Sequence, residues 1–127
     1  AKILGEDPSR VFKTLVTTGK TGQHYVFDIP VNEELDLKKA AKAVGEKSID
    51  MLPQKELLPL TGYIHGGCSP IGMKKQFPTV FHQTAHDYGH IFVSGGRVGS
   101  QVEVHLEDLS KIFRYSLADL VVSSQNV

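Results

Sequence analysis

The sequence predicts an α+β fold. One observation is a series of β-branched and aromatic runs broken by glycine turns; the other is a pair of short amphipathic helical patterns scattered among them. Strands and helices do not alternate one for one, so a regular βαβ arrangement is not expected. The pattern amounts to about six strands and three short helices over 127 residues, a length that suits one domain around one core. Residues 1–127 are therefore read as a single domain, with no repeat, no low-complexity tract and no internal boundary.

Asp7-Pro8-Ser9-Arg10 opens with a turn signal, and Pro8 suits the first position of one helical turn. Val11 to Thr18 is rich in β-branched and aromatic residues and reads as a strand. Gly19-Lys20-Thr21-Gly22 turns the chain, and His24 to Ile29 returns as a second strand stopped by Pro30. By period 2, Lys13 shares a face with Val11 and Leu15, while Phe12, Thr14 and Val16 take the other. A cation beside a covered face needs a reason; pattern alone favours a strand-end lysine whose head reaches water.

Leu37 to Val44 is the clearest helix, with Asp36 as N-cap and Gly45 as its stop. Leu37, Ala40, Ala41 and Val44 form one apolar stripe, and Lys38, Lys39 and Lys42 lie off it. Lys47 to Met51 reads as a short strand. Pro53 then starts a brief helix through Leu57 and Leu58 that Pro59 is expected to end.

Thr61 to Lys75 carries four glycines and one proline and follows neither period. Tyr63, Ile64, Ile71 and Met73 call for burial, which argues against a disordered linker. An ordered loop remains: one whose backbone N–H groups bind an anion or a carbonyl oxygen, or a tight connection between strands. Phe77 to Phe81 resumes strand character. His82, His86 and His90 stand at i, i+4 and i+8, a spacing that invites a zinc site. Gly89 should break the helix before His90, so the three rings are not expected to converge. His90 to Ser94 and Gln101 to His105 read as strands joined by a glycine-rich loop, Leu106 to Phe113 as an amphipathic helix, and Leu117 to Val122 as a last strand.

Lys plus Arg and Asp plus Glu each number 14, so global charge gives no support to tight nonspecific nucleic-acid binding. A local basic patch stays open. The single cysteine, Cys68, cannot form an internal disulfide and fits a reducing cytoplasm. No apolar run approaches the roughly 18 residues of a membrane span, and the first residues carry no signal-peptide pattern.

Three segments taken in order, Val11-Phe12-Lys13-Thr14-Leu15, then Thr61 to Lys75, then Ile91 to Gly99, together resemble the YbaK/EbsC family, which is related to the editing insertion domain of bacterial prolyl-tRNA synthetases. The helix from Leu35 to Lys42 resembles the family's as well. The resemblance implies a mixed, barrel-like sheet surrounded by short helices. It implies hydrolysis in trans of the ester of mischarged aminoacyl-tRNA, notably Cys-tRNA(Pro), with close relatives taking Ala-tRNA(Pro). The partner is the 3′ acceptor end of aminoacyl-tRNA, with prolyl-tRNA synthetase as a further one and no membrane. No cofactor or metal is expected. In such members the substrate's own thiol attacks the ester carbonyl.

Carried over by position, the family's pocket lysine is Lys13, the expected catalytic residue. The substrate-binding residues are Gly66, Gly67, Ser69 and Pro70 of one loop and Ser94, Gly95 and Gly99 of the other. The family usually has a helix and strand before the Asp7-Pro8 turn, most of which this sequence lacks. Arg97-Val98 stands where many members have two basic residues, and Gln101 where an acidic residue is known. These departures leave a second reading, a tRNA- or nucleotide-binding module of the same fold without hydrolysis. Cys68 has a setting that lowers thiol pKa, yet no histidine–carboxylate relay is evident around it, and no covalent role is expected.

Overall fold

The computed structural model describes residues 10–63, 69–70, 77–94, 96 and 101–122. Its centre is a hairpin. Strand β1 (Phe12–Gly19) pairs antiparallel with β2 (His24–Pro30), with Lys13 opposite Ile29 and Thr14 opposite Asp28. Gly22 takes φ +92°, the left-handed conformation the turn needs. Glu46 ties this turn down: it accepts from the Thr21 hydroxyl at 2.6 Å and from the Tyr25 hydroxyl at 2.7 Å. The Thr21 bond is the main reason its carboxyl lies below the usual range.

Helix α1 (Leu37–Val44) follows, capped as its sequence predicts. The Asp36 carboxylate accepts from the N–H groups of Lys38 and Lys39, and Gly45 closes the helix at φ +76°. Strand β3 (Ile49–Met51) pairs with the far end of β1. Helix α2 (Gln54–Thr61) runs past Pro59, contrary to the expected stop. Proline removes one N–H and crowds the preceding turn; here burial of Leu57 and Thr61, and the Thr61 hydroxyl donating to the Leu57 carbonyl at 2.8 Å, carry the helix on to Gly62.

Strand β4 (Thr79–His82) lies parallel to β2 and is buried at every residue. Helix α3 (Thr84–Tyr88) ends at Gly89, and β5 (His90–Ser94) pairs antiparallel with β6 (Gln101–His105). The expected helix from Leu106 to Phe113 shrinks to α4 (Leu106–Leu109). Beyond it the backbone tightens, with the N–H groups of Lys111 and Ile112 donating to carbonyls three residues back, as Phe113 turns into the core. The last strand, β7 (Tyr115–Ala118), begins two residues earlier than expected and lies parallel to β4.

One sheet has the order β3-β1-β2-β4-β7; the other is the β5-β6 pair. A parallel bridge between Val11 and Phe92 joins them. The described residues thus form seven strands and four helices in an α+β arrangement. The register sorts side chains onto two faces. Leu15, Phe27, Ile29 and Val80 pack with Ala40 and Ala41 of α1 on one face. Phe12 and Phe81 meet α3 and α4 on the other, and Val16 and Val26 meet Leu57 and Phe77 further along that face.

Candidate active site

Lys13 is half-buried on the face shared with Leu15 and Ile29, as period 2 predicts. The Val11–Phe92 bridge relates it to Ser94, a second residue expected at the site. Two residues on from each bridging partner are Lys13 and Ser94, so alternation puts both on the same face. Ser94 ends β5, and its hydroxyl oxygen accepts from the N–H of Gly96 at 3.1 Å. Gly96 sits at φ +102°, and a Cβ there would lie 3.3 Å from the Tyr63 ring. The loop after β5 and the start of the Thr61–Lys75 stretch therefore touch. Within that stretch Ser69 and Pro70 are buried. Gly66, Gly67, Cys68, Gly95 and Gly99 lie outside the described residues.

Sequence reasoning named both segments but did not foresee the approach of Gly96 to Tyr63. The available signal was the second glycine of the Ser94-Gly95-Gly96 run, since a positive φ beside a ring excludes most side chains.

The opposite face of the same hairpin holds a different polar group. Asp28 is fully buried between the two apolar clusters, and its Oδ1 accepts from the Thr14 hydroxyl at 2.5 Å. Its Oδ2 has no hydrogen-bond partner among the described residues. Burial pushes its carboxyl up to about 8, against the lowering effect of the Thr14 bond. Asp28 is thus neutral at pH 7 and lies on the wrong face to balance Lys13.

The histidines do not converge. His82 is buried and its Nδ1 accepts from the Leu120 N–H at 3.1 Å, whereas His90 pairs with Arg10. Desolvation holds the His82 imidazole below its ordinary pKa. Among the described residues no group of three or more His, Cys, Asp or Glu side chains could hold a metal ion. No described helix is long and apolar enough to cross a membrane.

Of the α1 lysines, Lys39 is committed to the fold: its Nζ donates to Asp119 at 3.0 Å and to the Val121 carbonyl at 2.8 Å. Lys38, Lys42 and Lys47 instead line a groove of about 380 Å³ between α1 and β3.

The profile of the aminoacyl-tRNA editing domain matches residues 1–112 of the chain. The chain belongs to this family. Editing an aminoacyl-tRNA means hydrolysing its ester, so the reaction class is aminoacyl-tRNA deacylation. Among curated relatives of this editing domain is EbsC of Enterococcus faecalis strain V583, named there as a candidate Cys-tRNA(Pro)/Cys-tRNA(Cys) deacylase. It is 49% identical over 120 residues, which cover 94% of this chain and 73% of EbsC. A crystal structure described as a candidate trans-editing enzyme for prolyl-tRNA synthetase superimposes with a TM-score of 0.85 at 26% identity, over 94% of this chain and 75% of that one. The hypothetical protein APE2540 shares the fold, with a TM-score of 0.84 at 24% identity over 94% of this chain and 79% of its own.

Proposed function

We propose that the chain hydrolyses mischarged aminoacyl-tRNA in trans, with Cys-tRNA(Pro) as its substrate. The observation that carries this reading is the Val11–Phe92 bridge, two residues before both Lys13 and Ser94, with Gly96 close to the Tyr63 ring, in an editing-domain chain 49% identical to EbsC. Lys13 grips a phosphate or the ribose of the terminal adenosine and so turns the ester carbonyl toward the Gly66–Pro70 loop. To Gly66, Gly67, Ser69 and Pro70, and to Ser94, Gly95 and Gly99, we assign substrate binding. The substrate's thiol gives up its proton and its sulfur attacks the ester carbonyl; backbone N–H groups stabilise the oxyanion, the C–O bond to ribose breaks as the ribose oxygen takes up that proton, and water then opens the resulting thiolactone to free cysteine. The basic groove with Lys38, Lys42 and Lys47 offers a second contact for the tRNA, and a local patch of this kind suffices in a chain of zero net charge.

The test is deacylation of a panel of tRNAs charged with cysteine, alanine, serine and proline. Fastest release of cysteine from tRNA(Pro) is the expected result. Binding of tRNA with no ester cleaved would replace the deacylase by a binding module, the reading that the neutral Gln101 opposite Ser94 favours.

A further inference from the structure

Outside the ester pocket, the outer face of the β5–β6 pair is built unlike an idle surface. Its inner face is apolar: Ile91 and Val93 are buried and Val104 packs beside them. The outer face carries, in register, Ser94 opposite Gln101, Phe92 opposite Glu103, and His90 opposite His105. The rings form a row, with centroids 6.4 Å apart for Phe92 and His90 and 5.5 Å apart for His90 and His105. Phe92 is half-exposed and belongs to none of the three apolar clusters of the described residues.

Arg10 is fixed over the end of this row. Its Nη1 donates to His90 Nε2 at 3.0 Å, and its guanidinium carbon lies 4.8 Å from the Tyr88 ring centroid. Glu103 Oε2 lies 3.4 Å from the same His90 nitrogen. Glu103 is the one carboxylate on this face among the described residues.

We infer that this row is a stacking platform for the unpaired 3′ nucleotides of the tRNA, running from the ester pocket at Ser94 through Phe92 to His90, His105 and Arg10. The inference rests on the deacylase reading for its occupant. Continuity with the pocket selects that occupant, because the strand that brings an ester to Ser94 must leave along one side of it. Half-exposed or exposed rings on adjacent strands stack with unpaired bases, and a preset arginine meets the backbone or stacks on a base. Steps of two residues along β5 move about 6.8 Å, so successive same-face groups meet successive parts of an extended strand.

The experiment uses Phe92→Leu, which keeps the bulk but removes the flat ring, and Arg10→Gln. Affinity is read by fluorescence anisotropy with a labelled single-stranded RNA ending in CCA. Hydrolysis is read as the KM for full Cys-tRNA(Pro) relative to that for the cysteinyl ester of adenosine. Each variant should weaken RNA binding about tenfold and raise the KM ratio similarly, and Arg10→Gln should also lower the salt slope of binding by about one. Unchanged RNA affinity in both variants would overturn the platform, as would equal losses on the two esters. If the wild-type protein cleaves neither ester, the deacylase reading fails, while the RNA affinities still decide for or against the platform.

Discussion

Lys13 and Asp28 sit one register step apart on the same pair of strands, and the fold treats them in opposite ways. Lys13, opposite Ile29, is left half-open on the face that also carries Ser94. Asp28, opposite Thr14, is sealed at 0% exposure between two apolar clusters. The lesson is electrostatic. A charge that must meet a ligand keeps part of its hydration until the ligand arrives, whereas a carboxyl sealed without a cation gives up its charge. At neutral pH the sealed face offers no carboxylate, and on the proposed reading the open face carries the chemistry.

The largest effect that would sharpen this contrast is expected at Lys13. Loss of one charge-assisted contact costs about 1.5–3 kcal/mol, and a misplaced ester adds to that. Lys13→Ala should lower kcat/KM by roughly two orders of magnitude or more with an unchanged circular dichroism spectrum. Lys13→Arg should restore part of the rate, since a planar fork does not replace a compact ammonium.

The sealed face should show itself in stability rather than rate. Asp28 has its folded pKa raised to about 8, so between about pH 4 and about pH 8 the native state holds a proton that the unfolded chain has lost. Stability then falls with rising pH by at most about 1.4 kcal/mol per unit. His82 acts with the other sign: its folded pKa is lowered by burial, and it removes stability as pH falls below about 6.5. The two oppose one another on the acid side, and the steepest decline should come between about pH 6.5 and about pH 8. Asp28→Asn should flatten that decline in urea titrations. A decline equally steep in the variant would mean that Asp28 is ionised in the folded protein.

Smaller effects bound the comparison. Asp36→Ala removes the acceptor for two N–H groups of α1 and should cost about 1 kcal/mol in thermal or urea unfolding, with little change in deacylation. Cys68→Ala should leave kcat/KM within about threefold of wild type; a loss of about a thousandfold would make the thiol a nucleophile.

Much of the scaffold was legible in local sequence. The β1–β2 hairpin has its glycine turn, and α1 has its cap, stripe and stop within ten residues, Asp36 to Gly45. The errors fell where tertiary packing overrules local signals. Pro59 stays within α2 because Leu57 and Thr61 are buried around it, and α4 stops early because Phe113 must enter the core. Period 2 placed Lys13 on its face, but nothing in local sequence pairs it with Ser94. That link is a single bridge between distant strands. Asp28 escaped notice because a lone acid in a strand reads as solvent-facing until the register shows what covers it.

The comparison turns on which face of the hairpin holds the chemistry. The most direct measurement is single-turnover hydrolysis of Cys-tRNA(Pro) by Lys13→Ala and Asp28→Asn at about pH 7, below the raised pKa of about 8 of the buried Asp28 carboxyl. The expected result is a rate constant reduced roughly a hundredfold for Lys13→Ala and close to wild type for Asp28→Asn. A folded Lys13→Ala protein with a near-normal rate, beside a slow Asp28→Asn, would contradict the assignment and move the reaction to the other face.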